Sequence, residues 1–106
     1  LFKKPKDTVM APGADSTLQG VAELANKYPN FRMQVVGHAG QRGKADALLA
    51  LSLARAQAVF SALVSRNVDS KRMIVSGQGN GEPIGGTRSA AERARNDRIE
   101  VIFLYQ

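Results

Sequence analysis

Arg55 is the residue of this chain whose setting most demands a chemical explanation. It stands among Leu48, Leu51, Ser52, Ala56, Val59 and Leu63, which recur at helical spacing, so its guanidinium falls on the inward stripe of a helix. A guanidinium can grip a carboxylate through two parallel hydrogen bonds, which lysine cannot do. It can also pair with a carboxylate of the protein itself, such as Glu92 or Glu100, and hold the closing strand. Both readings stay open on the residues alone. His38 is the only histidine. As a general base it would need a nucleophile and an orienting partner, and the chain offers no matching set; a structural histidine at a strand end is the better reading. The glycines between Gly77 and Gly86 are not followed by Gly-Lys-Ser/Thr, so they read as a connection and not as a phosphate loop. With no cysteine, disulfides, a cysteine zinc site and a thiol nucleophile are excluded. The expectation is a non-enzymatic domain with no cofactor and no metal.

The elements that must position Arg55 and His38 can be read from periodicity. Leu1-Phe2 reads as the end of a strand, followed by the charged, proline-bearing connector Lys3 to Asp7. Pro12 suits the first position of a helix, where its missing N–H has no partner to lose, and Ala14, Leu18, Val21 and Ala25 continue at helical spacing. Gly20 weakens that helix by about 1 kcal/mol relative to alanine. Phe31 to Val36 alternates, with Phe31, Met33 and Val35 on one face and Arg32 and Gln34 on the other. Gly37 to Lys44 is a loop, and a second helix runs from about Ala45 to Arg66. Asn67 to Ser70 turns the chain into a strand over Met73 to Ser76. A glycine-rich loop, a short helix over Ser89 to Arg95 and a closing strand over Ile99 to Tyr105 complete it. The fold class expected is α/β, an α+β sandwich of order β-α-β-α-β-(short α)-β, with one mixed sheet and helices packed on one face.

The 106 residues make a single domain with one core, and 43% hydrophobic residues argue for a folded chain. The 15 basic against 9 acidic residues give a net charge of +6, which favours anionic partners: cell-wall carboxylates, lipid headgroups or nucleic acid. Nucleic acid is disfavoured, because there is no tryptophan and most of the six aromatics fall at apparent core positions instead of forming stacking platforms. Ala45 to Val64 is the most apolar stretch, but it carries Asp46, Ser52, Arg55, Gln57 and Ser61 and reads as a buried helix, a poor membrane span. No signal peptide is visible and the first residue is Leu1, so residues 1–106 are expected to be one domain cut from a longer protein.

From Tyr28 onward the chain resembles the OmpA-like domain of outer-membrane proteins, Pal-type lipoproteins and MotB-type stators. Gly37-His38 ends a strand as the family's Gly-His-Thr-Asp does. Leu51-Ser52, Arg55-Ala56 and Ala58-Val59 match its Leu-Ser-x-x-Arg-Ala-x-Ala-Val helix. Val68-Asp69 with Arg72 matches its Gly-Val-x-x-x-Arg turn, with Asn67 in place of the glycine. Gly77-x-Gly79 with Pro83 matches the next loop, and Asn96-Asp97-Arg98-Ile99-Glu100 matches the closing Asn-Arg-Arg-Val-Glu.

The resemblance implies a site for the diaminopimelate of a peptidoglycan stem peptide, whose side chain ends in a carboxylate and an ammonium. By that resemblance Arg55 is the cation that holds the carboxylate. The aspartate that holds the ammonium falls at Gly40, the threonine before it at Ala39, and an asparagine that lines the pocket at Leu48. His38 precedes these positions, while Asn96 and Arg98 belong first to the scaffold and second to the pocket rim. Losing one partner of a desolvated charge pair costs about 2–5 kcal/mol, roughly thirtyfold in affinity or more. Asp46 or Glu82 is a candidate replacement carboxylate. The resemblance thus implies a periplasmic, non-catalytic envelope domain that anchors its parent to peptidoglycan with weakened affinity, and that meets the membrane only through that parent. The alternative is a scaffold or interaction module that has lost the ligand and binds an envelope protein.

Overall fold

The computed structural model describes residues 14–39, 44–79 and 98–105. Helix α1 is Ala14–Lys27, strand β1 Phe31–Gly37 and helix α2 Ala45–Val64; a 3₁₀ turn, Ser70–Arg72, leads into strand β2, Met73–Gly77, and strand β3 is Ile99–Tyr105. The strand expected at Leu1-Phe2, the helix start at Pro12 and the short helix over Ser89 to Arg95 lie outside the described residues.

The sheet has the order β2-β1-β3. β1 pairs in parallel with β2, Met33 opposite Met73 and Gly37 opposite Gly77. It pairs antiparallel with β3, Phe31 opposite Tyr105 and Gly37 opposite Ile99. The sheet is therefore mixed, with β1 in its centre. The alternation expected along β1 holds from Arg32 to Val35: Met33 and Val35 are wholly buried, Arg32 is exposed and Gln34 half-buried, while Val36 is buried on the other face. Both helices deliver their apolar stripes to the face of Met33 and Val35. Leu18, Ala22 and Ala25 of α1, Ala56, Val59 and Leu63 of α2, and Val68 and Met73 join Met33 and Val35 in one core. Burial of each larger aliphatic side chain contributes about 1.5–3 kcal/mol. By length and composition α2 would suffice to cross a membrane, but its buried stripe, Leu48, Ser52, Arg55, Ala56, Val59 and Leu63, serves the core.

α2 ends at Val64, two residues before the expected end. The reason is a left-handed Asn67, φ 68°. Its N–H donates to Val64 O (3.0 Å), and the Val68 N–H donates to Leu63 O (3.1 Å). This pair of bonds is the Schellman arrangement, completed by contact between the apolar residues on either side of the turn; Leu63 and Val68 are both buried. The aromatic residues depart from expectation. Phe31, Phe60 and Phe103 are half-buried and Tyr28 and Tyr105 exposed, so none of the five described aromatics lies wholly within the core.

Candidate functional site

Three of the expected site residues, Ala39, Leu48 and Arg55, fall where β1 and β2 end beneath α2. Gly37 and Gly77 are neighbours across the sheet, and neither position has room for a side chain. A Cβ on Gly37 would fall 1.9 Å from Ser52 O, and one on Gly77 2.6 Å from Leu53 N. The two glycines thus let the backbone of α2 rest on the strand ends, closer than any side chain allows.

Ser52 uses that proximity. Its hydroxyl donates to Leu49 O at 2.8 Å and accepts from the Gly79 N–H at 2.9 Å. Gly79, at φ +57°, in turn accepts from the Ala39 N–H at 2.6 Å, while the Gln78 N–H donates to Gly37 O at 2.9 Å. One hydroxyl therefore fastens the segment following β2 to the middle of α2, and that segment in turn holds the one following β1. Arg55 lies three residues beyond Ser52 and Leu48 four before it, on the same helix face. All three are buried, Arg55 to 2% exposure, and Ala39 is wholly buried. Leu48, Arg55 and Ala39 are thus assembled about the Ser52–Gly79 link.

His38 and Arg98 form a second group. Their backbones exchange hydrogen bonds, His38 N–H to Arg98 O at 2.8 Å and Arg98 N–H to His38 O at 3.2 Å, extending the β1–β3 ladder by one pair. His38 Nε2 stands 2.5 Å from Glu100 Oε1. A carboxylate only accepts, so Nε2 donates. Arg98 Nη2 lies 3.6 Å from the same oxygen. The other imidazole nitrogen, Nδ1, is buried without a hydrogen-bond partner among the described residues. Gly37 faces α2, so strand alternation puts Val36 and its register partner Glu100 on the opposite face, and His38 joins Glu100 there.

Of the positions implied by the resemblance, Gly40 and Asn96 lie outside the described residues, as do Glu82, Glu92 and Asp97. Asp46 is exposed in the first turn of α2. Glu100, one of the carboxylates suggested for Arg55, meets His38 and Arg98 instead among the described residues. No group of three or more His, Cys, Asp or Glu among the described residues suits a metal ion.

Two functional features escape sequence reasoning. The Ser52 hydroxyl reads as one more small inward residue, although a polar residue within an apolar stripe is the signal that it has a buried partner. The Gly37/Gly77 pairing needs the strand register, which no local pattern supplies.

The sequence model of the OmpA family matches residues 1–97. The chain is 35% identical over 92 residues to a probable lipoprotein, YiaD, of Escherichia coli, covering 87% of this chain and 42% of that protein. It is 36% identical over 84 residues to the peptidoglycan-associated lipoprotein of Rhizobium meliloti, covering 79% of this chain and 48% of that one. The chain thus spans less than half the length of these relatives. The crystal structure of the C-terminal domain of Helicobacter pylori MotB superposes with a TM-score of 0.91 at 21% identity, covering 99% of this chain and 82% of that one; at that identity the likeness concerns the fold.

Proposed function

The chain belongs to the OmpA family, and from that premise we propose that it is a non-catalytic domain of the bacterial cell envelope, holding its parent protein to peptidoglycan by non-covalent contact with a stem peptide in the periplasm. A relative at 36% identity carries peptidoglycan association in its name. The observation that carries the reading to this chain is Arg55. It occupies the position of the family's ligand-holding arginine, and α2 fixes it one turn from the Ser52–Gly79 link that ties down Ala39. The guanidinium takes the ligand's carboxylate. The ammonium has no family aspartate to meet, because Gly40 stands there, and Ala39 and Leu48 replace further polar groups. Binding is weakened accordingly.

Titration of the ¹⁵N-labelled domain with a diaminopimelate-containing muropeptide tests this. Saturable shifts centred on Gly37, His38, Ala39 and Arg55 are expected, with their loss in Arg55→Ala. Gly40→Asp restores the missing anion and tightens binding by about thirtyfold or more. No shift at millimolar ligand in either the natural chain or Gly40→Asp defeats the reading.

The burial of Arg55, Leu48 and Ala39 favours a second reading, a scaffold that engages an envelope protein and no longer binds the wall. Under it, Arg55→Ala lowers stability strongly while no muropeptide shifts are seen.

A further inference from the structure

The end of the sheet where β1 begins has a surface that wall anchoring leaves unused. Leu24, Tyr28, Phe31 and Phe103 line an apolar cavity of about 280 Å³. Phe31 sits between two tyrosines, its ring centroid 6.1 Å from that of Tyr28 and 5.3 Å from that of Tyr105, both edge-to-face. This cluster is not sealed. Tyr105 is 74% exposed, Leu24 46% and Tyr28 45%; Leu104, 43% exposed, adds apolar area at the same end on the other face of the sheet.

Cations border the apolar shelf. Lys27 Nζ is 5.6 Å from the Tyr28 ring centroid. Arg32, exposed, and its register partner Leu104 belong to the same end of the sheet but, by strand alternation, to the face opposite Phe31 and Tyr105. Lys71, also exposed, belongs to the 3₁₀ turn that Arg72 ties to the carbonyls of Ala25, Tyr28 and Phe31. Two described carboxylates also stand near this end and count against the cations. The Asp69 carboxylate accepts from the Lys71 backbone N–H at 2.9 Å, and Glu23, one turn back along α1, accepts from Gln19 at 3.3 Å.

We propose that this end, met along the strands so that side chains of both sheet faces reach it, is a peripheral docking surface for an anionic phospholipid bilayer, with Lys27, Arg32 and Lys71 among the headgroups and Tyr28, Tyr105 and Leu104 at the boundary of the acyl region. Charge complementarity chooses the sign of the partner, since the exposed cations Lys27, Arg32 and Lys71 outnumber the Glu23 and Asp69 carboxylates at this end of a chain of net charge +6. The exposed apolar shelf chooses its phase. A soluble polyanion is gripped by cations alone, whereas tyrosine, apolar in body and polar at its tip, suits a boundary between water and hydrocarbon. The proposal departs from the expectation that the membrane meets this domain only through its parent, and it does not rest on peptidoglycan binding.

Co-sedimentation with vesicles tests it. At low salt the domain is expected to bind vesicles of phosphatidylglycerol and phosphatidylcholine in equal parts and to leave pure phosphatidylcholine vesicles in solution. Each cation near such a surface contributes about fivefold in partitioning, so Lys27→Gln, Arg32→Gln and Lys71→Gln together lower it on the order of a hundredfold. Tyr105→Ser with Leu104→Ser lowers it several-fold at unchanged charge, and Lys44→Gln, remote from the patch, loses less than Lys27→Gln. The chain has no tryptophan, so Tyr105→Trp supplies a single reporter whose emission shifts to the blue on the anionic vesicles. The proposal is overturned by absence of binding, by equal losses in Lys44→Gln and Lys27→Gln, or by a Tyr105→Trp emission that the anionic vesicles leave unmoved. Binding indifferent to the Tyr105 and Leu104 substitutions and displaced by soluble polyphosphate overturns it in favour of an acidic polymer or protein.

Discussion

At the end of β1 where the chain enters the sheet, Phe31 packs edge-to-face against Tyr28, Phe103 and Tyr105, and Arg72 donates to the carbonyls of Ala25, Tyr28 and Phe31. At the end where the chain leaves, Gly37 has no side chain. There α2 presses onto backbone, and a single hydroxyl, Ser52 Oγ, holds Gly79, which in turn holds Ala39. One end is held by bulk and by a charged donor that serves three carbonyls, the other by the lack of bulk and by backbone contact. The entry end therefore suffers when atoms are removed, and the exit end when atoms are added. That contrast also divides the proposed roles, because a ligand site needs backbone and buried charge held within narrow limits, while a docking shelf needs exposed apolar area.

The contrast can be broken by substitution. Gly37→Ala should be the most damaging change, about 3 kcal/mol or more, since a Cβ would meet helix backbone instead of a yielding side chain. Urea unfolding measures it, and a cost below about 1 kcal/mol means α2 can lift from the strand. Arg72→Ala should cost about 2–3 kcal/mol by stripping part-buried carbonyls of their donor, with Arg72→Lys recovering only part because one ammonium cannot span three carbonyls. Ser52→Ala should cost about 1–2 kcal/mol and act locally. Amide exchange at Gly79 and Ala39 should accelerate while that of β1 does not, and uniform acceleration argues against a local link. Asn67→Gly should raise stability by up to about 1 kcal/mol, relieving a left-handed non-glycine residue, without altering any binding at the exit end. A muropeptide or vesicle affinity that moves with it shows that the two ends are coupled.

The sheet, the helices and the inward stripe of α2 are legible in the sequence because each rests on local periodicity: Met33 and Val35 in alternation, Leu48 to Leu63 at helical spacing. The end of α2 is less so, because Asn67 can close a helix or continue a turn, and only its φ decides. Arg72 is visible as a family match, but its three carbonyl partners come from α1 and the start of β1 and need the tertiary structure. Glu100 has the charge to pair with Arg55. It meets His38 because strand alternation and the β1–β3 register set it on the face away from α2. The exposure of Tyr28 and Tyr105 runs against their aromatic character, which argues for burial until the edge of the core is known.

β1 occupies the middle of the sheet, bonded to β2 on one side and β3 on the other. If its exit end grips a wall polymer while its entry end or its parent is held at a membrane, tension runs along this strand. The β1–β2 and β1–β3 hydrogen bonds lie across the line of pull, so they are loaded together in shear and cannot be unzipped one after another. What resists rupture is then the rate of unfolding and not the equilibrium stability, and a domain of modest stability can still serve as a slow-yielding mechanical tether.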